Sequence, residues 1–442
     1  MSGILACPPT IHRIGLRYPA LEPLVPHLVY QISLPLVCDL LDLYFETQPQ
    51  APAHPLSPYV LGFMFRRQSF LQATPPRPYR LALLSSMLLV AAETSEAHSF
   101  LRACHVDRRQ ICSLLKGLAL ANIQTVAPMG SLDDVVACIH LGAVERDDDH
   151  GRFWFRTACF LAQAIELGRE LPPSTFPTSQ SMGGIEHTAD ALQEEEREER
   201  RRVWWLLYMV DRVFALYENR SPILLGHDVL QPMDDAEYQN GNFQACRGLR
   251  IRGPAFECNG HSIYAHLLPL LTILGEIMAQ RHGSNLDYPI SHHLEVYKAS
   301  LQRMRGEAQG STGPIAERDT ETQLAIAYGT YMARVLGILM TEEGESGLAS
   351  ERHQSQSGTR AADVAAVFDD ISHILGLDPD SKFMQFFFGI FLFRGLWPLV
   401  QSPSELQLNR RPTLDTLGRI VTAFDIHYRV RVALSICAGI YS

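Results

Sequence analysis

Apolar residues recur at helical spacing along most of this chain. Leu36, Leu40, Leu43 and Tyr44 fall on one face of LPLVCDLLDLYF. The segment PYRLALLSSMLLVAAETSEA opens at Pro78 and runs through Leu, Ala and Met, which favour helix. In residues 107–121, Asp107 stands where an N-cap is needed. SLDDVVACIHLGAV offers Ser131 as an N-cap, with Asp133 and Asp134 in the first turn, where the helix dipole favours negative charge. GRFWFRTACFLAQAIELGREL ends near Gly168, ahead of Pro172 and Pro173. Further apolar segments cover 261–280, 320–340 and 382–400. Alternating runs are few and no repeat of fixed period occurs, so the pattern predicts an all-α fold of roughly a dozen helices. Loops are predicted near 175–193, 235–250, 303–320 and 342–358.

The most informative stretch is 194–235, EEEREERRRVWWLLYMVDRVFALYENRSPILLGHDVLQPMDD. Its first nine residues hold five Glu and four Arg. Glu196 precedes Arg200, and Glu198 precedes Arg202, by four positions in the favoured acid-first order. This spacing predicts a solvated helix start. From Val203 onward the helix is apolar on nearly every side, as in a helix surrounded by others. Asp211 and Arg212 lie inside it, and an unpaired buried charge is costly. Arg212 is therefore expected to bind a carboxylate or helix-end carbonyls, and Asp211 to accept from backbone N–H groups or another Arg. Trp204, Trp205, Asp211 and Arg212 form the predicted packing and ion-pair core.

Composition narrows the reading. The 442 residues are 46% hydrophobic and carry a formal net charge of -10, with a pI near 5.9. The chain as a whole has no basic nucleic-acid footprint. The nine cysteines are scattered, odd in number and never spaced C-x-x-C, which predicts reduced thiols in an intracellular protein. The apolar runs near Leu81–Ala92 and Phe386–Val400 are short, or broken by Arg394 and Pro398, below the roughly 20 residues of a membrane span. No membrane partner is expected.

Candidate chemistry is sparse. Cys258, His261 and His266 have C-x2-H-x4-H spacing but lack a clear fourth zinc ligand, although Glu257 is adjacent. Asp147, Asp148 and Asp149, followed by His150, would suit Mg²⁺ in an all-α enzyme only with a facing acidic motif. Asp234–Asp235 is the one nearby candidate, and a helix C-terminal turn is the simpler reading of the cluster. His54, with Pro55, Ser57 and Pro58, reads as a turn. Arg66, Arg67, Arg77 and Arg80 are too few for a nucleic-acid surface, and helix-end or carboxylate pairing is expected of them. No G-x-S-x-G, P-loop or H-E-x-x-H pattern occurs.

Collinear stretches carry a family resemblance. They include YPALEPLVPHL (18–28), CDLLDLYF (38–45), HPLSPYVLGFMFRRQSFL (54–71), GSLDDV (130–135) and ELGRELPP (166–173). They continue through EEEREERRRVWWLLYMVDR with LQPMDD, RGPAFECNGHSIYAHLLPLLTILGEI (252–277), AYGTYMARVLGILMT (327–341) and FMQFFFGIFLFRG (383–395). Together they resemble the regulatory middle region of the fungal xylanolytic transcriptional activators, which are zinc-cluster transcription factors. The resemblance implies an all-helical regulatory domain over 18–400, after a variable leader (1–17) and before a divergent C-terminal helical segment (401–442). It implies a nuclear regulator of polysaccharide-degradation genes, not an enzyme. Its partners would be the transcription machinery or a full-length zinc-cluster paralogue, with a sugar-derived inducer as candidate ligand.

Three departures qualify the resemblance. The family's six-cysteine DNA-binding module is absent upstream of Tyr18, so zinc is expected only in that missing module and DNA contact only indirectly. Ser221 follows Asn219–Arg220 where the family has Pro, in a shorter loop, and the match fades after about Gly395. The predicted structural and regulatory residues are Trp204, Trp205, Asp211, Arg212, Asn219, Arg220, Pro232, Asp234 and Asp235. Two other classes remain open at this point: a Mg²⁺-dependent enzyme using Asp147–Asp149, and a non-transcriptional helical scaffold.

Overall fold

A computed structural model describes residues 15–379 except 29, 46–62, 73–77, 94–96, 98–100, 126–129, 146–147, 172–184, 225–227, 244–249, 285–288, 311–315, 346–365 and 368, with isolated positions at 388, 391–392 and 394–395. Side chains at 148–149, 185–192, 308–310, 316–319 and 342–345 are outside the description. A 3-10 turn at Pro19–Leu24 leads into α1 (Val25–Leu28). There follow α2 (Leu34–Tyr44), α3 (Arg67–Leu71), α4 (Leu81–Ala92), α5 (Arg108–Asn122), α6 (Leu132–Val144) and α7 (Asp148–Ala164). Next come α8 (Ile185–Glu218), α9 (Asp235–Asn240), α10 (Ile263–Arg281), α11 (Ile290–Gly310) and α12 (Ala316–Glu345). Among the described residues the only extended pairings are two isolated bridges, Arg169 with Asp228 and Leu230 with Arg252. The fold is all-α.

The caps follow local chemistry. The Asp107 side chain accepts from Arg109 N–H at the start of α5. Ser131 and Asp134 form a reciprocal capping box on α6. Asp134 also binds Arg80 at 2.8 Å, and Asp133 takes the Arg80 N–H at 2.8 Å. Arg80 thus spends its charge on a helix N-terminus. Arg77 lies outside the described residues, as does His54, where a turn is predicted.

Packing is layered. α4, buried along nearly its whole length, lies against α2, α5 and α6, while α6 covers α7. On the other side α10 packs against α11 and α12, which pack on each other. α8 runs between these groups, touching α7 and α10. Arg394 donates to the Leu216 carbonyl near the end of α8, and Tyr331 donates to that of Phe391. Residues near 391–395 therefore close onto the same core. Two helices that the apolar-run reading passed over, Ile263–Arg281 and the Thr320–Thr341 part of α12, are long and apolar enough to span a bilayer. Both are mostly buried against neighbouring helices, as core helices are.

The predicted loops were drawn too wide. α8 already begins at Ile185, within the expected 175–193 loop. α9 occupies part of 235–250. α11 continues to Gly310 and α12 starts at Ala316, which narrows the expected 303–320 linker, and α12 runs on to Glu345. The many polar residues of these helices gave the segments the composition of loops. Residues 1–14 and 396–442, and most of the apolar 382–400 segment, lie outside the described residues. Of the six described cysteines only Cys104 is exposed, and all six are free thiols.

A buried histidine ties three helices together. His140 Nε2 lies 3.0 Å from the Tyr44 hydroxyl and Nδ1 lies 3.0 Å from Ser86 Oγ. Ser86 donates to the Leu83 carbonyl, so it accepts from Nδ1–H, and Tyr44 donates to Nε2. Burial pushes His140 down to about 3 and His266 down to about 4, against an ordinary value of 6.5. Both rings are neutral in the fold, and the unfolded chain protonates first. Their contribution is present in full above pH 6.5 and is lost as pH falls towards 4 and then 3. Melting temperature is expected to fall over that window, and less steeply in His140→Gln. Equal slopes in a pH series of thermal melts would show that His140 is not a source of the effect.

A buried ion-pair core around the central helix

The charge run is not solvated. Glu198 and Arg202 are 0% exposed, and Glu194, Glu195, Glu199 and Arg201 are also buried. Helix geometry brings this about, because the charged positions continue the rows of the apolar half. Glu198, Trp205 and Arg212 are seven apart, as are Glu195, Arg202 and Met209. That register was a signal available in the sequence. The partners were not, since they come from residues 66–69, 170, 230–235 and 250.

Glu198 is the centre. Its Oε1 accepts from Arg202 Nε at 3.1 Å and Met233 N at 2.7 Å. Its Oε2 accepts from Arg201 Nη1 at 3.2 Å and Arg250 Nη1 at 2.6 Å. Four donors fill the acceptor capacity of a carboxylate. Arg202 in turn donates to Asp235 at 2.6 Å and to the Met233 carbonyl at 2.6 Å. Its guanidinium carbon lies 4.1 Å from the Tyr238 ring centroid and 5.3 Å from that of Tyr264. Arg201 binds Glu170 and Glu194, and Glu170 also takes the Leu230 N–H. Glu195 accepts from Arg66 at 2.8 Å and from the Ser69 hydroxyl, which ties α3 to α8. Arg200, expected to pair with Glu196, donates to the Ile165 and Glu166 carbonyls beyond α7, while Glu196 is exposed.

The electrostatics are balanced locally. Burial works against the charges of Arg201 and Arg202, but the surrounding carboxylates outweigh it and hold both guanidiniums more firmly protonated than usual. Burial likewise raises the Glu194 carboxyl, and hydrogen bonds from Arg201 and Arg197 outweigh it and hold the group below its ordinary range.

The LQPMDD loop is the counterpart of this surface. Trp205 Nε1 donates to the Leu230 carbonyl at 2.8 Å. Gln231 N–H goes to the Ile251 carbonyl and Met233 N–H to Glu198. Half-buried Pro232 sits between them with no N–H to satisfy. Asp234 caps α9 by accepting from Ala236 and Glu237 N–H. Trp204 points the other way, its ring so close to Gly168 that a Cβ there would come within 2.6 Å. Its Nε1 has no acceptor among the described residues.

A second charged knot closes the far end of α8. Asp211 accepts from Ile223 N at 2.7 Å, Leu224 N at 2.9 Å and Arg220 Nη1 at 3.0 Å. Arg212 donates to the Tyr208 carbonyl at 3.0 Å and the Leu224 carbonyl at 2.8 Å, with Asp211 3.5 Å away. Burial lowers the Arg212 pKa. Asn219 ends the helix in the left-handed region (φ 49), which Asn tolerates, and Arg220 N–H closes the turn on the Ala215 carbonyl. Gly275 of α10 gives Arg212 room, since a Cβ there would meet its Cγ and Nε at 3.0 Å.

The residues read as metal or acid sites do other work. Cys258 Sγ faces the Gly260 carbonyl and Met304 Sδ, His261 pairs with Glu321, and His266 Nδ1 faces the Ser262 carbonyl. These three do not fit zinc, and no metal-holding group of three or more His, Cys, Asp or Glu occurs among the described residues. Asp148 and Asp149 open α7 instead of ending the preceding helix, and Asp147 lies outside the described residues.

Removing one member of the network strands its partners. Arg202→Met leaves Glu198 and Asp235 without their shared guanidinium and is expected to cost about 3–5 kcal/mol. Glu196→Gln, on the exposed side of the same run, is expected to change stability by less than about 0.5 kcal/mol. Urea unfolding of both variants tests this. Similar midpoints would mean that the run is solvated after all.

Comparison with known proteins places this architecture. Residues 41–299 match the family described as "Fungal specific transcription factor domain". The xylanolytic transcriptional activator xlnR of Aspergillus niger is 32% identical over 90% of this chain and 54% of its own length. Those of Aspergillus terreus and Emericella nidulans are 32% identical over 90% of the chain, covering 53% and 56% of their own lengths. The chain thus spans about half the length of the curated relatives it matches. No solved structure matches it. This family consists of transcription factors, not enzymes, and the chain belongs to it.

Proposed function

We propose that this chain regulates transcription of polysaccharide-degradation genes, through a helical regulatory body built around α8. The observation that carries this reading is the 32% identity across 90% of the chain to proteins named as xylanolytic transcriptional activators. The match takes in the parts that hold the body together: the charged half of α8, the LQPMDD loop and the Asp211–Arg212 knot. The chain acts in the nucleus, on the transcription machinery or beside a full-length zinc-cluster paralogue. DNA is reached indirectly, because the formal net charge of -10 supplies no basic footprint. A sugar-derived inducer is the ligand class the reading implies.

Transcripts of xylan-degrading genes are expected to change in a strain lacking this chain. Restoring the wild-type chain or Glu196→Gln should reverse the change, whereas Arg202→Met should not. Transcript levels that do not respond to the chain would refute the reading. In a gel-shift assay the 442 residues alone are expected to show no tight, sequence-specific DNA binding, and such binding would refute indirect action.

A further inference from the structure

α9 meets the buried charges of α8, and it is attached differently from the core helices. Tyr238 is its one buried side chain, whereas α10 is buried along most of its length. Among the described residues Met233, Tyr238 and Phe243 form a small apolar cluster of their own, apart from the main core, with Phe63 packed against it. The other attachments are polar. Asp235 binds Arg202 at 2.6 Å, and the Arg202 guanidinium lies over the Tyr238 ring. The Tyr238 hydroxyl donates to the Met64 carbonyl at 3.1 Å. The Gln239 side chain donates to the Phe65 carbonyl and accepts from the Arg67 N–H, both at 3.0 Å. Arg66 reaches the Gln239 carbonyl at 3.4 Å, and its guanidinium lies 5.5 Å from the Phe243 ring centroid.

This balance sets the segment apart. Water replaces a hydrogen bond when a surface segment lifts, so each polar attachment adds little net resistance to opening. Buried apolar area resists more, and here it is confined to the satellite cluster. Opening strands neither member of the ion pair. Asp235 moves into water, and Arg202 keeps Glu198 and the Met233 carbonyl. The surface that receives α9 is also strained. Phe63 holds φ 46, in the left-handed region that a bulky side chain avoids. Such a conformation persists only where its surroundings fix it, and for Phe63 these include the satellite cluster.

We propose that residues 234–243 form a lid that opens as one unit while the helical core stays folded. Closed, the lid joins the chain at 64–67 to Arg202 of α8. Open, it releases both and lets Phe63 relax. It is a two-state element built into the fold, and binding to either state shifts its position. The lid is independent of the transcriptional reading, and its test needs no DNA.

The experiment is hydrogen–deuterium exchange of the full chain, read by mass spectrometry across a urea series. A helix as short as α9 does not persist once detached, so its amides exchange when the lid lifts. Peptides covering 235–243 are expected to exchange through an opening that depends little on urea. Those of α10 should exchange through global unfolding, which urea promotes steeply. Ile273→Val, in the buried α10, should speed α10 exchange about fivefold and leave α9 unchanged. Gln239→Ala should speed α9 exchange about tenfold. The proposal is overturned if α9 and α10 share one protection and one urea dependence, if Ile273→Val speeds both alike, or if Gln239→Ala leaves α9 unchanged. Circular dichroism checks the fold of each variant. Should either variant fail to fold, the wild-type urea series still decides.

Discussion

The carboxylate of Glu198, buried without exposure and filled by four donors, is the constraint from which the rest follows. Moving such an ion out of water costs several kcal/mol, and only near-complete satisfaction offsets this. Each donor that satisfies it must itself be held. Arg202 is held by Asp235, Met233 and two tyrosine rings, and Arg201 by Glu170 and Glu194. Met233 is placed by a loop in which the Leu230 amide and carbonyl and the Gln231 amide are also committed. The hydrophobic layers give this region its bulk stability, and the charges select the one arrangement in which none is stranded.

α8 is pinned at both ends by this logic. Its first half is fixed to α3, to residue 170 beyond α7, to the 230–235 loop and to Arg250. Its last two turns are fixed to its own exit loop by Asp211 and Arg212. The apolar middle, with Trp205 on the Leu230 carbonyl and Trp204 on Gly168, fits only one register. A slide or rotation by one residue would separate both charged knots from their partners, so the helix behaves as a fixed strut between the two helical groups.

Much of the architecture was legible in the sequence. Helical periodicity gave the class, and Asp107, Ser131 and the apolar rows of 203–218 marked caps and core because those signals are local. The charged run was misjudged because composition was weighed above register: Glu and Arg at alternating positions look solvated until their rows are traced into Trp205 and Met209. Its partners could not be read at all, since Arg66 lies 129 residues from Glu195 and Arg250 lies 52 from Glu198. Asp211 and Arg212 stood out because two charges in an otherwise apolar helix must be compensated nearby. The loop boundaries failed where a helix is rich in polar residues.

Arg66 and Arg250 are the first and last side chains of the cluster to leave the ribosome. Until the second emerges, the acids and bases of 194–202 have been made but lack part of their complement. The helices before residue 170 can pack early on apolar contacts. The carboxylate of Glu198 cannot gain its full set of donors before residues 233 and 250 are present. The ion cluster is therefore complete only in a chain made past residue 250, whatever helices it has formed before then.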